Sequence, residues 1–275
     1  MSQPLPPWTE PPPPMPGAPA GSPSTNGRGR LRVPGRPDVE RPLSTWRWWE
    51  ALLVYIGALV VGGVVSAPSL LLVRPEATAE MVALVVSGVV ELGLVYLWLR
   101  RFHPGWRVAI GIPGRARTAS EWGSGAWRGA LLFLVITYPV GFTLTLLFSA
   151  LSGTAITTPD QLPAGLDAAG KVLAAVYAIG IAPVVEETVF RGCVFRSLRD
   201  RHGYAGAALG SAVAFGLVHY VPAPFADSLL LMTAMVFTGL GLAYIYDRRG
   251  NIVASIGAHM AFNAIAIVLI FVLGR

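Results

Sequence analysis

Charge and cysteine are both scarce in this chain: 13% of its 275 residues are charged and Cys193 is the single cysteine. One thiol excludes an intramolecular disulfide and any cysteine-based metal site, and leaves burial as the reading of Cys193. Lysine is nearly missing as well, Lys171 standing against twenty arginines. Those arginines fall between hydrophobic runs rather than in one patch, which argues for membrane topology and against nucleic-acid binding. Neither His-Glu-x-x-His nor Gly-x-Ser-x-Gly occurs, so a zincin helix and a nucleophile elbow are both excluded. What is abundant is apolar: 53% of residues are hydrophobic and the mean hydropathy is +0.57, outside the range of soluble domains.

The composition changes along the chain. Residues 1–44 hold thirteen of the 23 prolines and no apolar stretch able to build a core, so they read as a disordered, Pro/Arg-rich tail. Arg28, Arg30, Arg32, Arg36, Arg41 and Arg47 precede the first hydrophobic run and favour a cytoplasmic N-terminal side. Residues 45–275 read as one helical membrane domain. Seven apolar segments follow one another, at about 49–73, 80–100, 127–151, 171–190, 204–221, 228–246 and 251–273, each near the ~20 residues needed to cross a bilayer. The fold class is therefore all-α, a polytopic transmembrane bundle of about seven helices. Counted from an inside start, Arg100, Arg101, Arg107, Arg115, Arg117 and Arg128, then Arg191, Arg196, Arg199 and Arg201, then Arg248 and Arg249 all fall on the cytoplasmic side. Trp46, Trp48, Trp49 and Trp98 suit interfacial anchoring. The stretch 102–126 suits an interfacial segment. Gly57, Gly62, Gly63, Gly239 and Gly241 suit close helix contacts.

Against this background three polar clusters stand out, because a charge at mid-bilayer costs roughly 2.5–3.5 kcal/mol on insertion scales. They are Glu186-Glu187-x-x-x-Arg191, Phe215-x-x-x-His219 and His259-x-x-x-Asn263. Glu187 and Arg191 share a helix face at i, i+4 and can pair. Glu186 points about 100° away and stays available for a proton. Pro183 removes a backbone donor just before the pair and frees carbonyls there. Phe215 can wall the His219 imidazole, and His259 and Asn263 can face one cavity. Straight helices with these bounds place His219 nearer the outer surface than Glu186 by several ångströms. Taken singly, the clusters also suit an interfacial salt bridge, an interfacial histidine and an inter-helix clasp. Taken together, a Glu and a His can activate water while a His and an Asn donate to an oxyanion. Amide hydrolysis with water as nucleophile fits that inventory.

At EETVFR (186–191), FGLVH (215–219) and HMAFN (259–263) the chain resembles the CPBP family of CAAX proteases and bacteriocin-processing enzymes. These are also described as type II CAAX prenyl endopeptidases and lysostaphin-resistance-protein-like membrane proteins. The resemblance covers about 171–273. It implies an intramembrane endopeptidase in which Glu186 and His219 match the water-activating pair, and His259 and Asn263 the oxyanion-stabilising pair. Glu187, Arg191 and Phe215 match supporting positions. Both a metalloprotease and a metal-independent glutamate protease have been argued for the family, so Zn2+ held by Glu186, His219 and His259 stays open beside a metal-free site. The implied partners are the bilayer and a protein or peptide substrate, lipid-modified or not, with no nucleic acid. The implied location is a multi-pass position in the plasma membrane if the source is bacterial. Two other classes compete with this reading: a non-catalytic membrane binding or immunity protein, and an ion or proton carrier using the same groups as a relay.

Overall fold

The structure, a computed structural model, describes residues 30–33 and 36–273. Strands β1 (Arg30–Val33) and β2 (Arg36–Pro42) form an antiparallel ribbon. These strands fall within the segment expected as a tail, of which residues 1–29 and 34–35 lie outside the described residues. The helices are α1 (Trp48–Leu72), α2 (Glu76–Phe102), the single turn α3 (Trp106–Ala109), α4 (Arg115–Leu131) and α5 (Tyr138–Ser152). Then come α6 (Ala168–Ala175), α7 (Ala182–Glu186), α8 (Arg196–Leu217), α9 (Phe225–Arg249) and α10 (Ile252–Leu273). Widened π-helical stretches at Leu132–Thr137, Val176–Ile181 and Glu187–Phe195 join α4 to α5, α6 to α7 and α7 to α8.

Among the described residues six helical runs are long and apolar enough to cross a membrane. The longest, Ala168–Leu217, contains the fourth and fifth apolar segments and breaks at Gly203, whose φ of 75° and ψ of −175° only glycine adopts readily. The chain doubles back there. Phe190 and Phe215 meet with ring centroids 5.4 Å apart, and Ser211 Oγ donates to the Phe190 carbonyl at 2.8 Å. The two rings stand at similar distances in sequence on either side of the turn, thirteen residues before it and twelve after. Glu186 stands seventeen residues before Gly203 and His219 sixteen after it, so the two lie at comparable depth. The expected offset arose from ending the fourth helix at residue 190 rather than carrying it to the turn.

The polarity of the bundle is that of a protein in lipid: Leu53, Val60, Val64, Leu71 and Leu72 face outward, whereas Glu91, Glu187, Arg191, Thr238 and His259 are buried. Helix α1 packs on α2, α4 on α10 and α8 on α9. Small residues set these distances. A Cβ at Gly125 or Gly129 would strike the backbone of Ala254 or Ala258, and one at Gly62 the backbone of Ser87. Gly239 and Gly241 likewise meet Ala212 and Leu132, but Gly57 and Gly63 have open space around them and pack against nothing. Trp46 is a second correction: it is fully buried, with Nε1 donating to the Cys193 carbonyl at 3.0 Å, while Trp48 and Trp49 are exposed. Within the stretch 102–126, α4 already begins at Arg115 and runs on towards the third crossing.

Candidate active site

The Glu187–Phe195 stretch starts on a carboxylate and carries Arg191 one turn on. Arg191 Nη1 lies 2.9 Å from Glu187 Oε1, and both side chains are fully buried. Two further contacts hold the guanidinium: Nη2 donates to the Gly239 carbonyl at 3.1 Å, and Cζ sits 4.4 Å from the centroid of the Phe215 ring. The missing Cβ at Gly239, where Ala212 Cα would stand at 3.0 Å, is what lets α9 bring that carbonyl so close. A buried ion pair is tolerated only when its remaining hydrogen-bonding capacity is met, and the carbonyl and ring supply part of it.

His259 joins the second leg of the site. Its Nδ1 is 3.1 Å from Glu187 Oε1 and its Nε2 is 3.8 Å from Glu186 Oε2. Because an ionised carboxylate only accepts, Nδ1 carries the proton, and Nε2 is left facing Glu186. Glu186 is the more accessible carboxylate, its side chain 16% exposed against 0% for Glu187. Phe215 packs against both imidazoles, with centroids 4.6 Å from His219 and 5.8 Å from His259.

The other expected residues are placed less compactly. His219 lies just beyond the end of α8, half-buried, with Nδ1 2.7 Å from the Phe215 carbonyl. A carbonyl needs a donor, so here too Nδ1 bears the proton and Nε2 is the basic nitrogen. Among the described residues His219 forms no ion pair with Glu186 or Glu187. Asn263 and His259 take different partners: Asn263 Nδ2 donates to the Ala178 carbonyl at 2.6 Å. That carbonyl is available for a local reason. The π-helical register sends the Ala182 N–H to Tyr177 O, and the next bond of that register would run from residue 183 to Ala178 O. Residue 183 is proline and has no N–H.

The zinc set of Glu186, His219 and His259 does not form a ligand group: among the described residues no three of His, Cys, Asp and Glu are grouped so as to hold a metal ion. Three neighbours of Glu186 escaped the motif reading. Tyr55 and Tyr177 lie within electrostatic reach of it, as does Glu91, which accepts from Ser87 Oγ at 2.7 Å. Glu91 carried a usable signal, since a lone carboxylate inside the second apolar segment is itself an intramembrane charge. The two tyrosines carried none.

A polytopic helical bundle that holds a carboxylate pair, a buried arginine and a buried imidazole within its apolar helices defines a multi-pass integral membrane protein with a candidate acid–base centre. Residues 168–265 match the family described as Type II CAAX prenyl endopeptidase Rce1-like. Over 91 residues the chain is 36% identical to the Bacillus subtilis (strain 168) protein named "Putative membrane peptidase YdiL", covering 32% of this chain and 34% of that protein. The motif-bearing region is thus similar to the CAAX protease group that its three motifs resemble. The match spans about a third of the length of the curated relative. No solved structure matches the chain.

Proposed function

We propose that this protein is an intramembrane endopeptidase that hydrolyses a peptide bond with water activated by Glu186. The observation that carries the reading is the geometry at Glu186, an accessible carboxylate at membrane depth faced at 3.8 Å by an imidazole that a buried ion pair orients. Glu186 takes a proton from the attacking water and later returns it to the leaving amine nitrogen, so acid and amine are formed with no net proton uptake by the enzyme. His219, with Nε2 basic, shares the water-orienting task. His259, when protonated beside Glu187, donates from Nε2 to the developing oxyanion. Asn263 braces the Ala178 carbonyl and thereby the wall of the site. The substrate class is a protein or peptide reaching the site from the arginine-rich side, with or without a lipid modification, and the N-terminal side is cytoplasmic.

Peptide-terminus mass spectrometry of membranes holding matched amounts of wild type, Glu186→Gln and His219→Ala protein tests this. New termini that depend on both residues are expected, and they name the substrate. If termini are identical in all three while candidate substrates are present, the protein is a binding or immunity protein and not a protease.

A further inference from the structure

A second polar feature lies away from the candidate active site, at the arginine-rich end of the bundle. The turn between α9 and α10 (Arg249, Gly250, Asn251) and the loop residues Val108 and Gly111 to Pro113 border a half-open cavity of about 130 Å³ that Arg41 and Arg117 also line. One water needs roughly 10–15 Å³ on this kind of measure, so the space takes a polyatomic group. The loop approaches this closely because residue 111 is glycine at φ +77°; a Cβ there would lie 2.6 Å from the Gly250 carbonyl and 3.1 Å from Arg41 Nη1.

Among the described residues three arginines line the cavity and no carboxylate does. Two of them are partly matched at its edge, Arg249 by a two-nitrogen contact with Glu121 at 3.0 and 2.6 Å, and Arg117 by the same carboxylate at 3.2 Å. Arg41 is different. It is 4% exposed, it donates to Tyr246 Oη at 2.9 Å and stacks on that ring, and its Nε has no partner. Among the described residues it has no carboxylate partner. A buried guanidinium with an open N–H is strongly unfavourable unless an anion meets it, and the planar fork of arginine suits phosphate oxygens. Val108 and Ile112, lining the same cavity, are 57% and 39% exposed, an apolar lip of the kind acyl chains cover.

We propose that this cavity binds a phosphate group, that of an anionic phospholipid headgroup, with Arg41 at its base and Arg117 at its mouth. Basic pockets at the cytoplasmic ends of membrane helices are suited to such headgroups. The site is separate from Glu186 and does not depend on proteolysis.

The test is thermal unfolding of the full chain in phosphatidylcholine–detergent micelles, titrated in one arm with phosphatidylglycerol and in the other with inorganic phosphate at constant ionic strength. Phosphatidylglycerol is expected to raise the melting temperature of wild type. Its apparent affinity is expected to fall about tenfold in Arg117→Gln, which loses one charge-assisted contact, and likewise in Ile112→Trp, which fills the cavity and keeps every arginine. Arg41→Gln also removes the bond to Tyr246, so these two variants at exposed positions carry the test. A rise with inorganic phosphate alone, lost in both variants, overturns the lipid source and assigns the site to a soluble phosphate. No rise in either arm, or the same rise in wild type and both variants, overturns the site.

Discussion

The side chains at the centre of the bundle divide into those that hold charge in place and those free to change it. Glu187 and Arg191 belong to the first kind, since each is buried and each is the other's counter-ion. Removing either one strands a charge, so Glu187→Ala or Arg191→Ala is expected to destabilise by about 3–5 kcal/mol, read as a loss of folded protein in size-exclusion chromatography. Equal folded yields with only the chemistry impaired would show the pair to be catalytic instead of structural. Away from the membrane-spanning runs, His103 accompanies Trp46 and Trp98, with ring centroids 5.4 and 4.6 Å away, and its Nδ1 is 2.9 Å from Thr45 Oγ1. Burial pushes its pKa below the ordinary 6.5, and the charge of Glu50 opposes this. The unfolded chain therefore binds a proton before the folded one does, so stability falls as pH drops below about 6.5 and levels off below the folded-state pKa. Melting temperatures measured across that window should show an acid-side slope that is smaller in His103→Phe. An unchanged slope would assign the acid sensitivity to other groups.

At the level of the helices, the interruptions matter more than the regular turns. Pro183 and the π-helical stretch before it leave the Ala178 carbonyl without its next backbone donor, and Asn263 of α10 supplies one. This ties two helices together beside Glu186. Asn263→Ala is expected to cost about 1–3 kcal/mol by leaving that carbonyl unsatisfied. In a Pro183→Ala background, where residue 183 regains its N–H, the same change should cost clearly less, and a double-mutant cycle of melting curves measures the difference. Equal costs in both backgrounds would mean that the asparagine acts elsewhere. Proline was legible in the sequence as a source of free carbonyls. Which carbonyl, and which side chain would answer it, depended on the π register, a choice made by packing against α10 and not by local composition.

Across the whole molecule, the arginine asymmetry predicts an orientation that chemical labelling can read. Cys193 is fully buried and leaves little background. Asp160→Cys should react with a membrane-impermeant maleimide on intact cells, and Arg248→Cys only after permeabilisation; the reverse pattern would invert the topology. The sequence by itself determined the all-helical membrane class, the apolar segments and the three clusters, because hydropathy and i, i+4 spacing are local properties. It also pointed to the Glu187–Arg191 pair for that reason. Only the tertiary structure decided that Gly203 brings His219 to the depth of Glu186, that His259 stands between the two glutamates and that Asn263 bonds the Ala178 carbonyl. It alone brought Glu91, Tyr55 and Tyr177 within electrostatic reach of Glu186. These relations join residues on different helices, and their geometry is set by where glycines let backbones approach and where proline forces a carbonyl to find another donor.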